Sequence, residues 1–112
     1  MSELLDVIVK AIDDRLGEEI TVLDFKNQHP FYDYFVIATA LNHRMAKSII
    51  DQVEEKVIAC GGQIRAIDGN SDSDWQLIDC FEVVVHIFVG SERQVYQLER
   101  LWGDLPRIEV QV

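Results

Sequence analysis

The apolar stretch between the two tryptophans constrains the fold of this chain more than any other feature. It runs from residue 75 to residue 102 and reads WQLIDCFEVVVHIFVGSERQVYQLERLW. Within it, two extended segments, 75–80 and 82–89, are separated by almost no linker. Strands spaced so closely pair as an antiparallel hairpin. The sequence therefore predicts a hairpin closed by Cys80 and Phe81, and the other segments are expected to pack around it.

The register of this hairpin sorts its side chains onto two faces, because side chains alternate along both strands. The predicted cross-strand pairs on one face are Asp79 with Glu82, Leu77 with Val84 and Trp75 with His86. The other face is apolar apart from Gln76 and carries Ile78, Val83, Val85, Ile87 and Val89. Burial of each valine or isoleucine stabilises a fold by about 1.5–3 kcal/mol, so this apolar face is expected to pack against helices.

The face that carries Trp75 mixes apolar and charged groups and has two interpretations. Like charges directly opposite each other, as predicted for Asp79 and Glu82, destabilise a bare sheet, and a cationic partner would relieve their repulsion. Alternatively, water and long side chains screen the pair, and Trp75 is ordinary half-buried packing. The hairpin pattern alone favours neither interpretation.

Composition narrows the class of protein. A chain of 112 residues has room for one domain with a modest core. Ten basic against twenty acidic residues give a formal charge of −10, which argues against nucleic acid as the main partner and leaves a basic protein partner open. The first sixteen residues lack the basic start and continuous apolar run of a signal peptide, and no segment is long enough to span a membrane. A cytoplasmic location is therefore expected.

Helices and strands are predicted along the rest of the N-terminal half. A first helix is expected between an N-cap at Ser2 and a stop at Gly17, with an inward stripe of Leu4, Leu5, Ile8, Ala11, Ile12 and Leu16. Strands at 20–25 and 34–39 are expected to pair as a hairpin. The longest helix follows, capped by Asn42, with an inward stripe of Met45, Ile49, Val53, Val57 and Cys60.

The C-terminal half adds shorter elements around the central hairpin. A strand at 63–68 is predicted before a turn-rich loop of Asp, Gly, Asn and Ser residues. After the hairpin, Ser91 is the expected N-cap of a last helix, with Gln94 completing a capping box and Tyr96 facing outward. Residues 103–112 are expected to form an edge strand or a loose tail, because their last five positions alternate in polarity.

The common sequence signatures of catalysis are absent. There is no glycine-rich phosphate loop, no GxSxG and no HExxH. Asp72 and Asp74 have the spacing of a metal-binding carboxylate pair, but their neighbours favour a turn. Cys60 and Cys80 lack metal-ligand spacing and are expected to be buried thiols without a disulfide. No catalytic residue, metal or cofactor is therefore predicted.

Several segments together have the order and spacing of a known family. They are WQLID at 75–79, VVVHIF at 83–88, Glu92-Arg93, Tyr96, LERLW at 98–102, and upstream ITVLD at 20–24, DYFVIAT at 33–39 and Asp68-Gly69. This pattern resembles the ribosomal silencing factor family, also called the Iojap family, over nearly the whole chain. Two departures stand out: Asn42 replaces the serine that the family usually has before the long helix, and Cys80-Phe81 replace a glycine in the hairpin turn.

The resemblance implies both a fold and a role. The implied fold is α/β or α+β, with a mixed β-sheet flanked by helices, similar to the nucleotidyltransferase fold but without its catalytic residues. The implied role is translational repression: such proteins bind ribosomal protein fourteen of the large subunit, block joining of the small subunit when nutrients are scarce, and self-associate as homodimers. A nucleotidyltransferase-like enzyme and a generic dimeric adaptor are the competing hypotheses.

The expected partner-binding surface combines the mixed face of the hairpin with the outward flank of the following helix. Its members are Trp75, Leu77, Asp79, Glu82, His86, Arg93, Tyr96 and Glu99. An acidic, aromatic surface without catalytic groups is compatible with a basic ribosomal protein as partner.

Overall fold

The structure, a computed structural model, describes residues 3–25, 32–96 and 107–108. In chain order its elements are α1 (Glu3–Asp14), β1 (Glu18–Asp24), β2 (Tyr34–Ala40), α2 (His43–Ala59), β3 (Ala66–Asp68), β4 (Trp75–Asp79), β5 (Val83–Val89), α3 (Glu92–Tyr96) and β6 (Arg107–Ile108). None of the described helices is both long enough and apolar enough to cross a membrane.

One six-stranded sheet organises the chain, with strand order β3-β4-β5-β2-β1-β6. The β2 and β5 strands are parallel, from Tyr34 opposite Val83 to Ala40 opposite Val89, and the other neighbours are antiparallel. Parallel neighbours need a long crossover, which α2, β3 and β4 supply here. The expected mixed sheet flanked by helices is confirmed.

The main core lies between one sheet face and the two long helices, α1 and α2, which also pack against each other. All seven residues of β5 are buried, as expected for a strand in the middle of a sheet. Val85 and Ile87 are fully buried on the helix side together with Ile8, Ile12, Ile49 and Val53. Gln76 is also buried, and its side-chain amide donates to the Ser73 carbonyl at 3.2 Å. The predicted packed face of the hairpin is therefore confirmed.

The end of α1 differs from the predicted stripe. Leu16 is 69% exposed and has a φ of 65°, a left-handed conformation that turns the chain away from the helix. The Gly17 amide then donates to the Ile12 carbonyl at 2.9 Å, and a Cβ at Gly17 would lie 2.3 Å from Ile12 Cγ2. Glycine is needed here for close approach, and Val9 takes a buried place that the sequence pattern missed.

The α2 helix begins as predicted but its buried stripe is shifted. The Asn42 side chain accepts from the Met45 amide at 2.9 Å, which confirms the N-cap. The buried residues are Ala46, Ile49, Ile50, Gln52, Val53 and Val57. Met45 is only partly buried. Cys60 is exposed because it lies at the C-cap, beyond the last helical turn, so the prediction of a buried Cys60 thiol is wrong.

The register of the β4–β5 hairpin corrects the prediction by two residues. Trp75 lies opposite Phe88, Leu77 opposite His86 and Asp79 opposite Val84. The cause is the turn: Cys80 donates its amide to the Val83 carbonyl, so Phe81 and Glu82 form the loop instead of Cys80 and Phe81. A shift of two residues keeps every side chain on its predicted face. The predicted opposition of Asp79 and Glu82, however, does not occur.

Phe81 makes this two-residue turn possible by adopting a φ of 71°. Hairpin turns of this length need positive φ at the first loop position and usually place glycine there. Phe81 therefore carries backbone strain that its neighbours must offset.

The remaining predicted elements are partly described. The short strand before the loop spans Ala66–Asp68 and not 63–68, and its three residues are exposed at the sheet edge. The α3 helix starts directly after Ser91, whose carbonyl accepts from the Gln94 amide. Edge pairing near the C-terminus is confirmed for Arg107–Ile108, which pair with β1. The predictions for Ser2 and Glu99, and those for 103–106 and 109–112, lie outside the described residues.

Substitution of Val85 by aspartate should unfold the domain. Val85 is fully buried at the centre of the sheet, so Val85→Asp would place an unpaired charge in the packed core, a change that costs more than about 4 kcal/mol. Circular dichroism and a thermal melt measure the loss. Ile67→Asp is the matched control, because Ile67 is 42% exposed on the edge strand β3. A Val85→Asp protein that melts like the control would contradict the assignment of the packed face.

Candidate functional site

The sheet face opposite α1 and α2 holds the residues that the sequence marked as a site. On β4 and β5 this face carries Trp75, Leu77, Asp79, Val84, His86 and Phe88, and we call it the tryptophan face. It has a small core of its own, made of Leu23, Ile37 and Phe88, against which Phe35 and Trp75 pack. Trp75 and Leu77 keep part of their surface exposed, whereas Phe88 is fully buried.

A hydrogen bond to the buried His86 fixes the position of the Trp75 side chain. Its indole Nε1–H donates to His86 Nδ1 at 3.2 Å, and the two ring centroids are 5.8 Å apart. The Phe88 ring lies 5.1 Å from the Trp75 ring on the same face. These contacts fix the orientation of a large aromatic side chain that still has an exposed part. Such a side chain can bind a partner with little loss of conformational entropy.

His86 is a neutral residue in the interior of this face. Burial lowers the pKa of His86 to about 4, against a smaller opposing effect of the Asp79 carboxylate. A neutral ring that accepts at Nδ1 carries its proton on Nε2, and that buried Nε2 has no hydrogen-bond partner among the residues that the structure describes. The Phe35 ring, 4.7 Å from the imidazole, adds to its apolar surroundings. His86 therefore positions Trp75 and is too buried to offer a large contact area of its own.

Asp79 is occupied by partners within the chain. Its carboxylate accepts from Arg65 Nε at 3.1 Å and from Arg65 Nη2 at 3.0 Å, and it also accepts from the Phe81 amide at 2.9 Å. The Arg65 guanidinium lies 5.0 Å from the centre of the Phe81 ring, a cation–π arrangement. Arg65 thus supplies, from within the chain, the cation that the sequence predicts in a partner. This cluster also supports the left-handed conformation of Phe81.

Arg93 is likewise a structural residue. It is buried, and its guanidinium donates to the Glu19 carbonyl, to Thr39 Oγ1 at 3.3 Å and to Thr21 Oγ1 at 2.7 Å. These bonds fasten the start of α3 to β1 and β2. The sequence predicts Arg93 on the outward flank of its helix, but the sheet covers Arg93 on that flank.

The acidic loop before β4 has no metal-site geometry. Asp74 Oδ1 lies 2.7 Å from His43 Nε2, while Asp72 is exposed in the turn. Among residues 3–25, 32–96 and 107–108, no group of three or more histidine, cysteine, aspartate or glutamate side chains could hold a metal ion. The turn interpretation of this loop agrees with the structure, because the Asn70 side chain accepts from the Asp72 amide at 2.8 Å.

Comparison with known proteins identifies the family. The sequence profile of the family described as "Ribosomal silencing factor during starvation" matches residues 1–112. The chain is 34% identical over 109 residues to the ribosomal silencing factor RsfS of Halalkalibacterium halodurans, covering 97% of this chain and 93% of that protein. The chain belongs to the ribosomal silencing factor family.

Solved structures agree with this membership. A crystal structure from Bacillus halodurans superposes with a TM-score of 0.84 at 32% identity and covers 96% of this chain and 98% of that one.

A more distant relative is the mouse protein named "Mitochondrial assembly of ribosomal large subunit protein 1", which is 25% identical over 101 residues, 88% of this chain and 44% of the mouse protein. The family membership that the sequence resemblance implies is thereby confirmed.

The sequence-predicted site residues of this family member fall into three groups. Trp75, Leu77 and Glu82 are at least partly exposed at or beside the tryptophan face. The second group, Asp79, His86 and Arg93, is buried, and each of these side chains makes hydrogen bonds within the chain. The Tyr96 side chain and all of Glu99 lie outside what the structure describes. A partner-binding role for these residues remains a prediction.

Two residues beside β4 were missed from the sequence. Asp68 is the last residue of β3, and Arg65 lies directly before that strand. Arg65 reaches Asp79, and Asp68 lies opposite Leu77 in the antiparallel β3–β4 pair. The alternation of a three-residue edge strand is too short to reveal which of its side chains share a face with Trp75. Only the observed register of β3 and β4 shows it.

Acid should destabilise the protein through His86. A histidine whose pKa is lowered in the folded state binds fewer protons than in the unfolded state, so its contribution to stability is lost as pH falls from 6.5 towards 4. The loss amounts to about 3 kcal/mol from a shift of this size. Urea unfolding at neutral pH and near pH 4 measures it. The loss should be smaller in His86→Gln and unchanged in His43→Gln, which alters a partly exposed histidine. Equal losses in all three proteins would exclude His86 as the cause.

Removal of the Asp79 carboxylate should destabilise the hairpin. Asp79→Ala leaves the Arg65 guanidinium and the Phe81 amide without their acceptor, at a cost of about 2 kcal/mol. Urea denaturation gives the free energy of unfolding, and Asp72→Ala in the exposed loop is the control. If both variants unfold like the wild type, the Arg65–Asp79 pair does not stabilise the turn.

Proposed function

We propose that this chain is a translational repressor that binds the large ribosomal subunit and sterically blocks joining of the small subunit. The observation that carries the proposal is the match of the whole chain, residues 1–112, to a family described by ribosome silencing during starvation. The name of the mouse relative refers to the large subunit, which supports that subunit as the binding partner. Ribosomal protein fourteen is the proposed contact, as the family resemblance implies.

The tryptophan face is the surface that we propose for this contact. Trp75 offers a partly exposed indole whose orientation His86 fixes, and Leu77 adds apolar area beside it. Tryptophan is among the residues that most often dominate binding energy at protein interfaces. The sequence predictions add Glu82, which lies at the hairpin turn, and also Tyr96 and Glu99, whose side chains lie outside the described part of the chain.

Charge supports a basic partner. The chain carries a formal charge of −10, and Asp68 and Glu82 are exposed acidic residues at the β3–β4 edge and at the hairpin turn. Complementary charge speeds the encounter with a cationic protein and makes the complex sensitive to salt. Asp79 contributes less than the sequence suggested, because Arg65 already neutralises it.

We propose further that the protein acts in the cytoplasm without catalysis or a cofactor, and that the free protein forms a homodimer. A nucleotidyltransferase-like enzyme would need paired carboxylates on a strand beside a glycine-serine loop, and here Asp72 and Asp74 lie in an exposed turn where Asp74 contacts His43. A generic dimeric adaptor is the other alternative, and it would not travel with the large subunit in a gradient.

Truncation of Trp75 should weaken binding to the large subunit. Loss of an aromatic anchor at an interface centre costs about 2 kcal/mol or more, so Trp75→Ala should raise the dissociation constant roughly thirtyfold. Glu82→Lys should also weaken binding, because it reverses an exposed charge. Co-sedimentation of purified protein with large subunits measures the affinity, and a subunit-joining assay measures the block.

The controls for this experiment separate binding from folding. Glu55→Lys makes the same charge change on the exposed side of α2, remote from the tryptophan face, and should bind like the wild type. Charge reversal at Asp79 is unsuitable, since it would break the bonds from Arg65 and Phe81 and disturb the fold. If folded Trp75→Ala and Glu82→Lys proteins co-sediment as well as the control does, the contact surface lies elsewhere. If wild-type protein fails to co-sediment at all, the proposed function is wrong.

A further inference from the structure

Arg93 is a buried, charged residue near the start of the last described helix. Its side chain is 8% exposed, and an arginine is rarely this buried unless its charge is paired. It is the second residue of α3, which spans only Glu92–Tyr96. A helix of five residues is too short to be stable through its own hydrogen bonds, so its position depends on contacts with the sheet.

The guanidinium of Arg93 joins α3 to two strands of the sheet. Its Nη2 donates to Thr21 Oγ1 at 2.7 Å, and its Nη1 donates to Thr39 Oγ1 at 3.3 Å and to the Glu19 carbonyl. The Glu19 carboxylate, 3.9 Å from Nη1, supplies the opposite charge. Because Glu19 and Thr21 lie on β1 and Thr39 lies on β2, one side chain fixes α3 against both strands.

An irregularity in β1 makes the Glu19 carbonyl available to Arg93. The register of β1 against β2 shifts between Glu18 and Thr21, and Glu19 has a φ of 52°, in the left-handed region. A bulge of this kind disrupts the ladder locally and re-aims backbone groups. The Glu19 carbonyl accepts from the Arg93 guanidinium and, at 3.3 Å, from the Thr21 hydroxyl. The position of α3 therefore depends on a strained segment of β1 that Arg93 itself holds.

The backbone before α3 is fixed at the end of β5. Gly90 turns the chain out of the strand with a φ of 60°, and its amide donates to the Ala40 carbonyl at 2.9 Å. The Gln94 amide then donates to the Ser91 carbonyl at 3.0 Å. The Arg93 bonds reach further, to β1, which is two strands away from β5 in the sheet. Arg93 therefore sets how α3 lies across the sheet.

We propose that Arg93 is a positioning residue for the contact with the large subunit, because it holds α3 on β1 and β2 and thereby fixes the place of Tyr96 on that helix. The inference rests on the proposed function, since Tyr96 is one of the residues that the sequence predicts at the contact. Arg93, which the sequence also places in the partner-binding surface, then acts on binding indirectly.

A conservative substitution of Arg93 provides the first test. Arg93→Lys keeps the charge, but a lysine ammonium lacks the planar fork that donates to several fixed acceptors at once. Co-sedimentation with the large subunit should weaken about tenfold, because Tyr96 is no longer held in place. Arg44→Lys is the matched control, since Arg44 is exposed on α2, and it should bind like the wild type.

A double-mutant cycle separates positioning from a general loss of stability. Tyr96→Ala should itself weaken binding roughly thirtyfold, as expected for an aromatic anchor. If Arg93 acts through Tyr96, adding Arg93→Lys to Tyr96→Ala should weaken binding by less than about twofold more. If the two losses multiply in full, the residues act independently and the positioning role is wrong.

The acceptor side of the network gives a second pair of variants, which does not depend on the folding of Arg93→Lys. Thr21→Val removes the acceptor of the 2.7 Å bond but keeps a β-branched side chain, and it should weaken binding about threefold. Thr21→Ser keeps the hydroxyl and should restore most of that affinity. Circular dichroism and thermal melts show which variants are folded. Equal affinities of these two variants would exclude the bond as a determinant of binding.

Hydrogen exchange of the isolated protein distinguishes this inference from the proposed function. The backbone amides of 92–96 should exchange faster in Arg93→Lys than in Arg44→Lys, while those of β5 exchange as in the wild type. If wild-type protein co-sediments and Arg93→Lys binds equally well, the positioning role is wrong and the proposed function stands. If wild-type protein does not co-sediment, the proposed function is wrong, and exchange alone decides whether Arg93 holds α3 on the sheet.

Discussion

The parallel pairing of β5 with β2 is the constraint on which the rest of the structure depends. Seven residue pairs, from Tyr34 with Val83 to Ala40 with Val89, place two apolar strands in the middle of the sheet. A strand buried on both sides must be apolar throughout, which accounts for the run from Val83 to Val89 and for the burial of even its one histidine. The crossover that this pairing requires brings α2 onto one face and β4 to the other side of β5.

Burial of β5 also determines the chemistry of the opposite face. His86 is too deeply buried to be charged at neutral pH, and its neutral ring accepts the indole proton of Trp75. Trp75 is thereby held in one orientation while part of it remains exposed. Among the described residues, Asp68 and Leu77 line a cavity together with Trp75. A rigid aromatic residue with an exposed part is suited to contacting a partner protein, which agrees with the ribosome-directed role of the family.

The hairpin shows how far periodicity alone can predict a site. The alternation of β4 and β5 assigned each side chain to its correct face, because a register error of two residues preserves that assignment. It could not identify which residues were opposite each other, since the position of the turn depended on Phe81 adopting a positive φ in place of a glycine. The apparent repulsion between Asp79 and Glu82 followed from that error. The actual partner of Asp79 is Arg65, fourteen residues earlier in the chain.

The sequence by itself determined the family, the order of the elements, the N-cap of α2 and the packed face of the central strand. Each of these depends on local spacing or on residue type, and both are visible in one dimension. Only the tertiary structure decided that Asp79, His86 and Arg93 are buried and that Trp75 borders a cavity with Asp68. Burial and ion pairing depend on which strands become neighbours and where an edge strand ends. A polar residue on a mixed face therefore looks the same in sequence whether it meets a partner protein or a side chain of its own fold.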